Sequence, residues 1–93
     1  MPEEVQTILV IDDHPLIRKG ILQLIAMENS LQLVGEAGDG QRGLALALRQ
    51  RPDLILLDLN MRGLSGLETL KALKAADLDS RVIILTVSDS EED

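Results

Sequence analysis

Four short aliphatic runs, Thr7 to Ile11, Leu31 to Val34, Leu54 to Leu57 and Val82 to Thr86, punctuate the chain, with helix-like stretches between them. This alternation constrains the fold more than any other feature. Runs so uniformly apolar fit strands buried on both faces, as in a parallel sheet covered by helices. The segments between them carry helical signals. After Pro15, a residue favoured in a first helical turn, Ile17, Ile21, Leu24 and Ile25 fall on one stripe. Leu44 to Leu48 alternates Leu and Ala but holds only strong helix formers, so the chain is predicted helical over Gln41 to Arg51, with Pro52 close behind. Leu67, Leu70 and Leu73 mark a third helix, and Ser65 followed by Glu68 is a capping-box pattern that starts it near Gly66. Ser88 to Asp93 reads as the acidic first turn of another helix. The order β-α-β-α-β-α-β implies an α/β domain: a doubly wound parallel sheet with right-handed crossovers and helices on both faces.

Ninety-three residues make one domain at most. Its core must be aliphatic, because the chain has no Phe, Tyr or Trp. Flavin and nucleobase ligands, which stack on aromatic rings, are therefore disfavoured. Sixteen acidic against nine basic residues give a net charge of −7, which repels phosphate backbones, so this domain alone is not expected to bind DNA, RNA or anionic lipid. Without cysteine there is neither a disulfide framework nor a thiolate metal site. The start Met1-Pro2-Glu3-Glu4 lacks a basic region followed by an apolar stretch, and no apolar run approaches the ~20 residues of a membrane span. The expectation is a soluble, cytoplasmic protein.

In a doubly wound sheet, ligands bind at the carboxyl ends of the strands. Asp12 and Asp13 follow the first strand, Asp58 closes the third, and Thr86 closes the fourth, so all four are expected at one rim. Clustered carboxylates repel one another unless protons or a cation neutralise them, and hard oxygen ligands suit Mg²⁺. A carboxylate beside such an ion can act as a nucleophile toward phosphorus, with the Thr86 hydroxyl placed to donate to the attached group. Asp12 and Asp13 by themselves read more readily as caps of the first helix than as ligands; the company of Asp58 reverses that preference. His14, the only histidine, is a tempting phosphoryl carrier or metal ligand, but beside Pro15 it reads more simply as a helix-start residue.

The stretches ILVIDDHPLIRKGI, DLILLDLNMRGLSGLETL and VIILTVSDSEED together resemble the receiver domain of response regulators with a NarL/FixJ-type arrangement. Within it the likeness is greatest to the nitrate/nitrite-responsive branch. The resemblance implies a flavodoxin-like (CheY-like) sheet of strand order 2-1-3-4, the fifth strand and last helices of that fold lying beyond this sequence, as does a helix-turn-helix DNA-binding domain. It implies that a sensor histidine kinase phosphorylates Asp58 in a Mg²⁺-dependent reaction that controls transcription. Asp13, Asp58 and the main-chain carbonyl of Asn60 would hold the metal, Asp12 would reach it through water, and Thr86 would be the switch hydroxyl. Two departures stand out. Met61-Arg62-Gly63 replaces the Met-Pro-Gly common in receivers, and the family's lysine at the end of a fifth strand has no counterpart here.

Competing readings differ in their motifs. An aspartyl-nucleophile phosphatase would place its two acids two apart after the first strand, where this chain pairs Asp12 with His14. A nucleotide-binding module would need a Gly- or Ser/Thr-rich phosphate loop there. A receiver-like interaction module without phosphoryl transfer stays open. With the fifth strand missing, the fourth becomes an apolar edge, and a homodimer is the expected form.

Overall fold

The computed structural model describes residues 4–61 and 66–85. It has four parallel strands and three helices: β1 (Gln6–Ile11), α1 (Pro15–Ala26), β2 (Leu31–Ala37), α2 (Gly40–Gln50), β3 (Leu54–Asp58), α3 (Gly66–Ala75) and β4 (Arg81–Leu85). The strands stand in the order β2-β1-β3-β4, as expected. Thr86 and Ser88 to Asp93 lie outside the described residues, as do Ser65 and Gly63.

Local chemistry accounts for the element ends. Pro15 occupies the first turn of α1, where its missing N–H costs nothing, and it holds the preceding His14 extended. Asp39 caps α2 by accepting from the Arg42 amide at 2.8 Å. Arg51 ends the same helix in the left-handed region at φ 44, and Pro52 behind it cannot continue the helix. Strand β2 runs three residues past the predicted Val34. Its pairing with β1 skips a register step between Ile8 and Leu9, and this bulge lets Gly35, Glu36 and Ala37 rejoin the ladder opposite Leu9, Val10 and Ile11.

The core forms on both faces of the central pair. Leu9, Ile11, Ile55 and Leu57 point toward α2 and α3 and gather Ala37, Ala47, Met61 and Leu73. Ile8 and Val10 point the other way, to Ile25 of α1, with Ile21 and Leu22 packed against them. Each fully buried aliphatic side chain contributes about 1.5–3 kcal/mol of transfer free energy. Helix α2 approaches β1 closely because Gly43 has no side chain: a Cβ there would lie 2.5 Å from Ile11 Cδ1.

Three expectations are corrected. Only β1 and β3 are buried on both faces; β2 and β4 stand at the edges of the sheet and are half exposed, with Ile83 46% and Ile84 39% accessible. Leu24 is 68% exposed and Leu22 takes its place against the sheet. Leu67 is likewise exposed, while Leu70 and Leu73 pack inward. In both helices the 3.6-residue period is right, but the angle at which the helix docks selects which flank of the stripe is covered.

Candidate functional site

Strands β1 and β3 are neighbours and parallel, with Ile11 opposite Leu57. The residues that follow them, Asp12 and Asp13 on one side and Asp58 on the other, therefore emerge together at the carboxyl rim. Asp12 and Asp58 are each only 1% exposed. An acid ending an aliphatic strand in the sheet centre cannot turn to solvent, so its charge must be met within the protein.

The local backbone meets part of it. The Asp12 Oδ1 atom accepts from the His14 amide at 2.7 Å, a side-chain turn that orders the loop before α1. Asp58 Oδ1 accepts from the Asn60 amide at 2.9 Å. Gly66, at the start of α3, lies against the same segment, and a Cβ there would sit 2.3 Å from Leu59 Cα and 2.6 Å from the Asp58 carbonyl oxygen. Glycine is thus required for α3 to close over the end of β3.

The other oxygens face one another. Asp12, Asp13, His14 and Asp58 offer ligand atoms that all lie within 4.8 Å of each other, and the imidazole Nδ1 of His14 stands 3.2 Å from Asp12 Oδ1, 3.1 Å from Asp13 Oδ1 and 3.0 Å from Asp58 Oδ2. The hydrogen bond with Asp12 is the largest influence on His14 and raises its pKa above the ordinary 6.5; burial, next in size, opposes it, and the charge of Asp13 and the hydrogen bond with Asp58 add to the rise. A protonated imidazole in this position does the work of a cation. Its side chain remains 45% exposed, so it has room to swing out when another cation enters.

The donor set fits a hard divalent ion. Asp12 Oδ2 is buried and has no hydrogen-bond partner among the described residues. With Asp13 and Asp58 beside it, Asp12 makes a set of three carboxylates, oxygen ligands of the kind that hold Mg²⁺ with waters completing the shell. The same arrangement leaves Asp58 Oδ2 as the one oxygen of that residue not committed to a backbone amide.

Of the residues singled out from sequence, Asp12, Asp13 and Asp58 are brought together, and Asn60 is placed beside Asp58 by its amide. Thr86 lies outside the described residues. The sequence reading missed His14, which it set aside as a helix-start residue. It is one, as the N-cap of α1, but it makes no side-chain capping bond there, and its ring turns into the cluster instead. The usable signal was Pro15, which forces the preceding residue into an extended conformation. Arg18 was missed as well. One turn into α1 it reaches back, its Nη1 donating to the Asp12 carbonyl oxygen and its Nε to Glu36 Oε1 at 3.0 Å.

Comparison with known proteins adds to this geometry. The sequence signature of the response regulator receiver domain matches residues 8–93. The nitrate/nitrite response regulator NarL of Escherichia coli is 52% identical over 91 residues, covering 98% of this chain and 42% of its own. A nitrate/nitrite response regulator homolog of Haemophilus influenzae is 51% identical over 86 residues, covering 92% of this chain and 41% of its own. This chain thus spans less than half the length of those relatives. Among solved structures, the signal receiver domain of a NarL from Mycobacterium tuberculosis superposes with a TM-score of 0.85 at 37% identity, over 96% of this chain and 71% of that one. The response regulator domain of Thermotoga maritima CheB superposes with a TM-score of 0.83 at 31% identity, over 89% of this chain and 61% of that one.

Proposed function

Because the chain belongs to the response regulator receiver family, we propose that it is a phosphoryl-accepting switch of a two-component system, with Asp58 as the acceptor. The observation that carries this reading is the burial of Asp58 at the rim of β3, within 4.8 Å of two further carboxylates. An Asp58 carboxylate oxygen attacks the phosphorus of a phosphohistidine on a sensor histidine kinase. The P–N bond breaks as the P–O bond of an acyl phosphate forms, and the imidazole of the kinase leaves with the electron pair. The backbone amide of Asn60 orients the acceptor by holding Oδ1, while His14 leaves Oδ2. Asp13, Asp58 and the main-chain carbonyl of Asn60 would hold Mg²⁺, with Asp12 reaching it through water. When bound, the ion supplies neutralisation of the incoming phosphoryl oxygens. The Thr86 hydroxyl is assigned the contact with the attached group that relays the signal.

The likeness to nitrate/nitrite regulators supports control of transcription in nitrate/nitrite signalling, with DNA contact made by a separate helix-turn-helix domain. No helix among the described residues is long and apolar enough to cross a membrane, which agrees with a cytoplasmic setting. The half-exposed β4 edge and the groove of about 670 Å³ between it and α3, lined by aliphatic residues together with Lys74, Asp77, Ser80 and Arg81, support self-association of the 93-residue form; sedimentation at rising concentration should show a dimer, and a monomer throughout would dismiss it. The phosphoryl assignment is tested by incubating the protein with a small phosphodonor and Mg²⁺. Intact mass should show one added phosphoryl group, labile to hydroxylamine and mapping to the Asp58 peptide; a modified His14 peptide would overturn it.

A further inference from the structure

Three of the nine basic residues of this chain, Arg18, Arg42 and Arg49, line one cleft of about 460 Å³ beside edge strand β2, in a protein of net charge −7. Glu36 is the only acid among the described residues of its wall. Arg18 is held in place from two sides, by Glu36 Oε1 and by the Asp12 carbonyl, and its guanidinium fills the space a side chain at Gly38 would need, where a Cβ would lie 3.1 Å from Nη1. The other two arginines are not so occupied. Arg42 stands 3.8 Å from Asp39 with 81% of its side chain exposed, and Arg49 is exposed in the last turn of α2.

Spacing narrows what such a wall recognises. Seven residues on a helix are two turns, so the Arg42 and Arg49 backbones lie about 10.5 Å apart on one face of α2. Ala45 and Leu46 form an apolar floor between them. In a polyproline-II segment, whose three-residue turn returns side chains i and i+3 to one face, two carboxylates three residues apart are about 9 Å apart and meet both, with the backbone between them lying over the floor. We propose that this cleft docks an extended acidic segment of a partner protein, with two carboxylates about three residues apart and small or aliphatic residues between. The site shares no ligand atom with the acidic cluster and does not depend on the chemistry assigned to Asp58.

The test uses a dye-labelled hexapeptide with two glutamates three residues apart and alanine and leucine between them, titrated with the 93-residue protein and followed by anisotropy. Saturable binding is expected, weakened about fivefold by Arg42→Gln or Arg49→Gln and about 25-fold by both, as for independent charge-assisted contacts. The double variant Lys71→Gln/Lys74→Gln, which removes the same charge from α3, should change binding by less than about twofold if the effect is local rather than net charge. Circular dichroism of each variant checks that these exposed substitutions leave the fold intact. Equal loss in the lysine variant, displacement of the peptide by inorganic phosphate at the peptide's own concentration, or absence of saturable binding would each overturn the proposal.

Discussion

Strand β3 has an aspartate at each end, and the two are in opposite electrostatic situations. Asp53, just before the strand, accepts from the Thr7 amide at 2.9 Å and the Thr7 hydroxyl at 3.2 Å, and its own amide donates back to that hydroxyl at 2.9 Å. It is exposed, surrounded by donors, and ties the amino ends of β1 and β3 together. Asp58, at the other end of the strand, is buried and faces two other carboxylates and a histidine. The same side chain on the same strand is a structural clamp at one rim and the proposed phosphoryl acceptor at the other. What separates the roles is whether neutral donors or like charges surround it, because surplus negative charge out of water must be met by a proton or a metal.

The largest expected contrast is chemical. Asp58→Asn should abolish phosphorylation by a small donor, whereas Asp53→Asn should leave it intact; loss in both variants, read by intact mass, would remove the distinction between the two rims. Metal binding comes next. Asp13→Asn should weaken Mg²⁺ by at least about tenfold in calorimetry, since losing a direct ligand costs no less than losing a supporting contact, and equal affinities would show that the ion sits elsewhere. In stability the two aspartates should differ in sign. Asp53→Ala gives up the two Thr7 bonds at an exposed site and should cost about 1 kcal/mol, while Asp58→Asn in metal-free buffer relieves like-charge repulsion and should raise stability by about as much. Urea denaturation of both variants measures this.

The smallest effect is in pH. His14 has a folded-state pKa raised above 6.5, so the folded protein holds this proton more tightly than the unfolded chain does. Its contribution to stability is fully present below pH 6.5 and is lost as pH rises through the higher folded-state value. His14→Gln should remove that component of the pH dependence in metal-free buffer. The imidazole titration followed by NMR should also move down when Mg²⁺ is added, because the ion replaces the imidazolium among the carboxylates; an unmoved midpoint would separate His14 from the metal site.

Much of this was legible in local pattern. The element order and the convergence of Asp12, Asp13 and Asp58 follow from where the aliphatic runs stop, because a parallel sheet brings the carboxyl ends of its strands to one rim whatever the side-chain detail; the order β2-β1-β3-β4 was expected from the family resemblance alone. Segment length, strand period and the caps at Pro15 and Asp39 are set by residues within a turn or two of each other, and sequence carries such information directly. The tertiary structure alone decided the rest. Whether Leu22 or Leu24 covers the sheet depends on the docking angle of α1, and whether a strand is buried on both faces depends on what stands beside it, as β2 and β4 show. The turn of His14 into the cluster joins residues 44 apart, and the cleft of Arg18, Arg42 and Arg49 gathers side chains from two helices across the edge of a strand. Contacts of that kind are fixed by how finished elements pack, a competition among burial, charge and shape that no short window of sequence contains.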